Sequence, residues 1–360
     1  MAKKLSVRYR IDGALQELLE LDRTSLGPIV ARMKVLAKLD ITEKRQPQDG
    51  RIELEIKGRK FSFRLSTIPS ILGEKVVLRA LGSATDAEIT PIEKLGLSTN
   101  NRALLDQILA CPNGVLFVTG PTGSGKTTTL YSILNQLRNP STNIITVEDP
   151  VEITLDGITQ VQTNASIGFD FSKALRSILR QDPEVILVGE IRDLETAKIA
   201  SEAALTGHLV MATMHTNNAL RAFTRLVEIG VEPFLVAPSV IGVVAQCLVR
   251  KICNGCKESY EPPRELLETI FDNIGHSKVE FYRGKGCRDC NDSGYSGRVA
   301  LHEIFLVNDE IRNKISNGAS ILEIAEESRK LGFKTLRYDG IMKVLQGFTT
   351  YDEVNKVAVE

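Results

Sequence analysis

Gly120-Pro121-Thr122-Gly123-Ser124-Gly125-Lys126-Thr127 has the spacing G-x-x-x-x-G-K-[ST], directly after an apolar run at 115–118 and directly before a helical stretch at 128–137. Each part has its own chemistry. Glycines let backbone N–H groups converge on phosphate oxygens, and the helix N-terminus at Thr128 adds a field that favours negative charge. Lys126 then bridges β- and γ-phosphates, and the Thr127 hydroxyl ligates Mg²⁺. The chain has no Asn-Lys-x-Asp element of the kind that reads guanine, so ATP is the expected nucleotide.

Phosphoryl transfer to water also needs carboxylates, one to hold the metal or its waters and one to orient the nucleophile. The apolar run Val185-Ile-Leu-Val-Gly189 ends in Glu190, with Gly189 where a generic Walker B strand carries Asp. Glu190 is therefore expected to act on Mg²⁺ through water, or on the attacking water itself. A second group, Glu148, Asp149 and Glu152, follows the run 144–147, and ligands of open α/β sheets bind at such carboxyl ends. The same acids around Pro150 also fit a solvated turn, and the division of base and metal roles between Glu148 and Glu190 stays open. His208 and His215 flank the run 209–213, where a histidine is more often a satisfied structural residue than a sensor of bound phosphate.

Cys253-x-x-Cys256 and Cys287-x-x-Cys290 have the spacing of two knuckles converging on one tetrahedral Zn²⁺ site. Four thiolates leave no open position, so such a zinc is structural. Gly286, Gly294 and Gly297 suit the tight turns. Cys111 and Cys247, in apolar settings, are expected to pack inertly.

These residues need a scaffold. Apolar runs at 115–118, 144–147, 185–188 and 209–213, separated by helical stretches, predict a buried parallel sheet in an α/β domain. Before it, residues 7–80 predict a strand, then a helix over 26–39 with Ser25 as N-cap and Pro28 in its first turn. Short strands follow, including a hairpin from the alternating runs 51–56 and 61–65 around Gly58. The division expected is an α+β domain over 1–81, a linker over 82–91 and the α/β domain over 92–360. Within the last, the zinc-binding insert occupies about 250–300 and short helices about 308–360.

Lys+Arg and Asp+Glu both number 45, so there is no net basic field to attract nucleic acid. Hydrophobic residues at 42% and charged residues at 25% are ordinary for a folded globular chain. No run reaches the roughly 18 apolar residues of a membrane span, so a cytoplasmic location is expected.

Four motifs in order carry a resemblance that covers nearly the whole chain: the Walker A loop at 120–127, an aspartate box at 148–152, Gly-Glu-Ile-Arg-Asp at 189–193 and a histidine box at 207–217. Together they resemble the hexameric traffic ATPases of type II secretion and type IV pilus assembly. That resemblance implies a RecA-like ATPase domain joined by a flexible linker to a small PAS-like α+β domain, in a homo-hexamer whose protomers flex on hydrolysis. It implies catalytic roles for Lys126, Glu148, Glu190 and His215, with Arg64 and Arg79 reaching the phosphates from the N-terminal domain. Arg176, Arg180 and Arg192 match further nucleotide-site positions, and Thr127, Glu190 and Asp149 would hold Mg²⁺. The tetracysteine insert favours a secretion or pilus-extension motor over a retraction motor. Implied partners are an inner-membrane platform protein and a cytoplasmic docking protein, with membrane contact only through them and no specific nucleic acid. Family members normally carry a domain upstream of 7–13, so the sequence is expected to be a truncated piece. A nucleic-acid translocase or helicase on the same core is the alternative, along with a module that holds ATP without turnover.

Overall fold

The computed structural model describes residues 4–83, 89–271 and 278–358. Among these, 4–83 and Glu152–Thr154 form one compact unit, and 89–151 with 155–358 form another. In the first, β1 (Lys4–Ile11) and β2 (Ala14–Asp22) make a hairpin. The sequence reading expected one strand here. The turn residues Asp12 and Gly13 both have positive φ, 48° and 85°, the type I′ geometry whose twist matches paired strands.

Helix α1 (Leu26–Leu36) ends short of the expected Leu39, and Ser25 does not cap it. Asp22 accepts from Thr24 N instead and caps a 3₁₀ turn, Arg23–Ser25, that leads into the helix. Three long antiparallel strands follow, β3 (Gln48–Ile56), β4 (Arg59–Ser70) and β5 (Gly73–Ser83). Lys57 and Gly58, φ 51° and 77°, turn β3 into β4 as the Gly58 hairpin reading expected. Ala37, Ile52 and Leu65 form the core between α1 and this sheet. Strand β5 runs through Ser83, into the segment read as linker, of which 84–88 lie outside the described residues.

The second unit opens with α2 (Thr99–Leu109), β6 (Gly114–Thr119), α3 (Lys126–Leu137), β7 (Ile144–Glu148), β8 (Thr159–Gln162), α4 (Phe171–Ile178) and β9 (Val185–Val188). Next come α5 (Leu194–Leu205), β10 (Leu209–Met214), α6 (Arg221–Ile229), α7 (Pro233–Ser239) and β11 (Val240–Ile252). A small hairpin, β12 (Lys257–Tyr260) and β13 (Phe281–Gly284), carries α8 (Arg264–Ile270) in its connection. The chain closes with β14 (Tyr295–Leu306) and helices α9 (Asp309–Ser316), α10 (Ile321–Lys330), α11 (Leu336–Leu345) and α12 (Tyr351–Val357).

One seven-stranded sheet, order β14-β11-β6-β10-β9-β7-β8, organises this unit, parallel except for β14 on β11. Every residue of β6, β7, β9 and β10 is buried, which is why these strands read as unbroken apolar runs. Each fully buried Val, Leu or Phe contributes about 1.5–3 kcal/mol, so these strands are the rigid part of the unit. β8, β11 and β14 were not identified as strands from the sequence. No helix of the described residues is long and apolar enough to cross a membrane.

Candidate nucleotide site and metal centre

Between β6 and α3 the loop folds as an anion cradle. Gly120, Gly123 and Gly125 take φ of 147°, 80° and 91°, in a region that side chains resist. A Cβ on Gly120 would also stand 2.2 Å from Gln246 O. Thr127 and Thr128 are exposed on the first turn of α3. Lys126 Nζ donates to Gly120 O at 2.8 Å and Pro121 O at 3.2 Å, which holds the ammonium over the loop. Burial pushes the Lys126 pKa down, against the pull of Glu190. Ser124 Oγ is buried, with no hydrogen-bond partner among the described residues. These features fit a bound polyphosphate.

Strands β6, β10 and β9 are neighbours, so residues just beyond their carboxyl ends meet. His215 Nε2 lies 3.6 Å from Glu190 Oε2, and Arg192 is ion-paired with Glu190 Oε1. The Glu190 side chain is 13% exposed while those of His215 and Arg192 are 51% and 69% exposed, so the carboxylate sits inward of its two partners. Threonines tie the strand ends. Thr119 Oγ1 contacts Thr216 Oγ1 at 2.6 Å and accepts from Thr216 N at 2.9 Å, and Thr213 Oγ1 donates to Gly189 O at 2.6 Å. Gly189 is explained by crowding: a Cβ there would stand 3.1 Å from Val147 O and 3.3 Å from Glu148 Cα. A cavity of about 560 Å³ opens beside this cluster, lined by Arg192, His215, Thr216, Arg221 and Arg225 among others.

Glu148, at the end of β7, is buried and fully engaged. Its carboxylate accepts from Tyr131 Oη at 2.5 Å, Thr146 Oγ1 at 2.6 Å and Gln160 Nε2 at 3.2 Å. Asp149 next to it is exposed, and Glu152 belongs to the N-terminal unit. Asp193, last residue of the Gly-Glu-Ile-Arg-Asp run, caps α5 by accepting from Thr196 N. His208 lies at the opposite end of β10 from His215, its Nδ1 2.8 Å from Ala203 O, in a structural contact.

In the N-terminal unit, Arg64 on β4 is the register partner of Arg79 on β5 and of Arg51 on β3. Directly opposed residues share a face, so three guanidiniums line one row, where like charges oppose each other unless an anion intervenes. Asp49 lies 3.8 Å from Arg64, and Arg51 Nε donates to Ser62 Oγ at 2.8 Å. The sequence reading named Arg64 and Arg79 and missed Arg51. Arg176 is exposed at the end of α4 and pairs with Glu195 at 2.6 Å, while Arg180 donates to Arg176 O at 2.8 Å.

The four cysteines of the insert converge. Sγ atoms of Cys253 and Cys287 are 3.8 Å apart, those of Cys256 and Cys290 3.8 Å, and those of Cys287 and Cys290 3.7 Å. A tetrahedron with Zn–S bonds of about 2.3 Å has edges of about 3.8 Å, so the donor set fits zinc. Backbone N–H groups of Cys287 and Gly294 donate to Cys290 Sγ at 3.2 and 3.3 Å, favouring thiolate. Gly286, Gly294 and Gly297 all have positive φ, as the turns required. Cys247 is buried, with its thiol pushed up to about 11 by burial and by Glu303.

A family model described as "Type II/IV secretion system protein" matches residues 1–356. The chain belongs to that family. It is 48% identical over 358 residues to the type II secretion system protein E of Pseudomonas aeruginosa, covering 99% of this chain and 70% of that protein. It is 47% identical over 361 residues to the type IV pilus assembly ATPase PilB of Thermus thermophilus, covering 99% of this chain and 40% of that one. Among solved structures, the pilus retraction motor PilT with bound ADP matches with a TM-score of 0.65 at 26% identity, covering 100% of this chain and 92% of that one. The Legionella pneumophila ATPase DotB shares the fold, with a TM-score of 0.69 at 22% identity over 99% and 91% of the two chains.

Within this secretion-family ATPase, several residues that shape the site escaped the sequence reading. Thr119, Tyr131, Gln160 and Gln246 are of unremarked type in the sequence, and most of their partners are distant along the chain. Thr119 meets Thr216 and Gln246 meets Ser124 across about a hundred residues or more. The only local signal was Thr119 itself, a polar residue closing an apolar strand against a glycine loop.

Proposed function

We propose that this secretion-family ATPase hydrolyses MgATP at the 120–128 cradle and couples turnover to relative movement of its two units within a homo-hexamer. The work done is type II secretion or type IV pilus assembly at the cytoplasmic face of an inner membrane. The observation that carries this reading is the meeting of Glu190, Arg192 and His215 beyond β9 and β10, beside the strand that feeds the Lys126 loop. The names of the relatives support the process, and the tetracysteine cluster supports the extension or secretion branch.

In this scheme Gly120 to Thr128 wrap the phosphates and Lys126 offsets the charge shared by β- and γ-phosphate. A water oxygen bonds the γ-phosphorus as the bond to the bridging oxygen breaks, and the proton leaving the water passes to Glu190. Glu148, with its carboxylate held by three donors, fixes the end of β7 and supports the neighbouring Asp149. Thr127, Glu190 and Asp149 would hold Mg²⁺ directly or through its waters, and the ion would supply further neutralisation of phosphate charge. His215 senses the γ-phosphate from beside Glu190. Arg64 and Arg79 are the candidates in the N-terminal unit, which is of the PAS-like kind, for stabilising phosphate charge and reporting nucleotide state to that unit. Arg176, Arg180 and Arg192 complete the nucleotide contacts, and Cys253, Cys256, Cys287 and Cys290 would hold Zn²⁺ in a structural role. The protein is cytoplasmic and meets the membrane through a platform protein and a docking protein. Glu190→Gln should retain ATP binding and lose turnover; a wild-type rate in that variant would remove the base from this position.

A further inference from the structure

Gln246 lies outside every motif of the sequence. It sits on β11, one residue past Ala245, the register partner of Thr119 at the end of β6. Its side chain is 1% exposed and both ends of the amide are used. Nε2 donates to the carbonyl of Ser124 in the phosphate loop at 2.7 Å, and Oε1 accepts from Thr129 Oγ1 on α3 at 2.8 Å. The backbone carbonyl of the same residue crowds Gly120 at the opposite end of the loop.

A trans peptide points its carbonyl and the next N–H in opposite directions. Holding Ser124 C=O against β11 therefore turns the Gly125 N–H away from β11. The Ser124 carbonyl, an acceptor only, fixes the amide nitrogen on the loop side, and the Thr129 hydroxyl then donates to the amide oxygen and steadies it. A carbonyl at Ser124 free to rotate could point towards the phosphates and repel them.

The geometry points to Gln246 as a positioning residue for nucleotide binding, whose buried amide clamps the Ser124–Gly125 peptide in the anion-accepting orientation. This inference rests on the nucleotide reading of the loop. It is tested by titrating the full chain with fluorescent ADP, in wild type, Gln246→Met, Thr129→Val, their double variant and Lys126→Ala. Gln246→Met keeps the stem and loses the amide. Its Kd for ADP should rise about tenfold, the weight of one buried hydrogen bond, and its KM for ATP should rise with it while kcat at saturation stays near wild type. The nucleotide-free variant should melt lower than wild type but still in one cooperative transition and with the wild-type circular dichroism spectrum, so misfolding does not account for the loss. Thr129→Val should raise Kd less, and the double variant should bind no worse than Gln246→Met, because Thr129 acts through the amide. Should Gln246→Met not fold, Thr129→Val carries the test, and wild-type affinity there overturns the clamp. Wild-type affinity in Gln246→Met, or additive losses in the double variant, also overturns it while Lys126→Ala still loses binding. Failure of the wild type to bind ADP overturns the nucleotide reading as well.

Discussion

His302 on β14 is the register partner of Gln246, and its imidazole is 1% exposed. Its backbone is satisfied, N–H donating to Asp339 Oδ2 at 2.9 Å and C=O accepting from Asn101 Nδ2 at 3.1 Å. Neither ring nitrogen has a partner among the described residues. Burial, aided by the nearby Lys343 ammonium, pushes its pKa from the ordinary 6.5 down to about 3. The folded ring is therefore neutral where the unfolded ring takes a proton, and stability is lost as pH falls from 6.5 towards 3. At pH 5 the gap below 6.5 is 1.5 units, which at about 1.36 kcal/mol per unit costs about 2 kcal/mol relative to pH 8. His302→Leu, of similar volume, removes the titration together with two unsatisfied nitrogens. Urea unfolding followed by circular dichroism at pH 8 and pH 5 should show wild type losing about 2 kcal/mol more than His302→Leu across that interval. Glu303 beside it titrates with the opposite sign, since burial raises its pKa, but it is common to both proteins and cancels in the difference. Parallel losses in the two proteins would show that the folded ring takes up a proton as readily as the unfolded one, and would refute the argument.

Arg64→Ala should lower turnover while leaving ATP affinity largely intact, because its work lies in the transition state; steady-state kinetics with a separate ATP titration separates the two, and an unchanged rate moves that role to another arginine. Purified protein should carry one zinc per chain by elemental analysis, and Cys287→Ser should lower both the zinc content and the melting temperature of the second unit. Zinc-free protein with an unchanged melting temperature would reduce the cluster to an ordinary buried thiol group.

The phosphate loop was legible because its chemistry is local: glycines, lysine and threonine all lie within 120–127 and the flanking elements are strongly patterned. The tetracysteine site was legible for a similar reason, since knuckle spacing encodes each half and only one closing contact is needed. Glu190 and His215 could be named but not joined, because their meeting depends on β10 and β9 being neighbours. The Gly189 departure from the usual acid also needed the structure, for its cause is the backbone of β7 passing close by. Asp12-Gly13 is a strong hairpin signal that the reading passed over in favour of a single strand. Ser25 is a good capping type in the wrong conformation, and Asp22, three residues earlier, caps instead. Strand β14 was missed because its first part, around Ser296 and Gly297, is polar and exposed, so only its second half carries a buried-strand signal.

The most direct test of the account is specific ATPase activity against protein concentration, in Mg²⁺ buffer with zinc retained, with Lys126→Ala and Glu190→Gln run alongside. A ring whose site is completed by assembly predicts a superlinear rise for wild type and no activity for either variant. Turnover that persists in both variants, or its absence from wild type at every concentration, would contradict an ATP-driven motor built on this site.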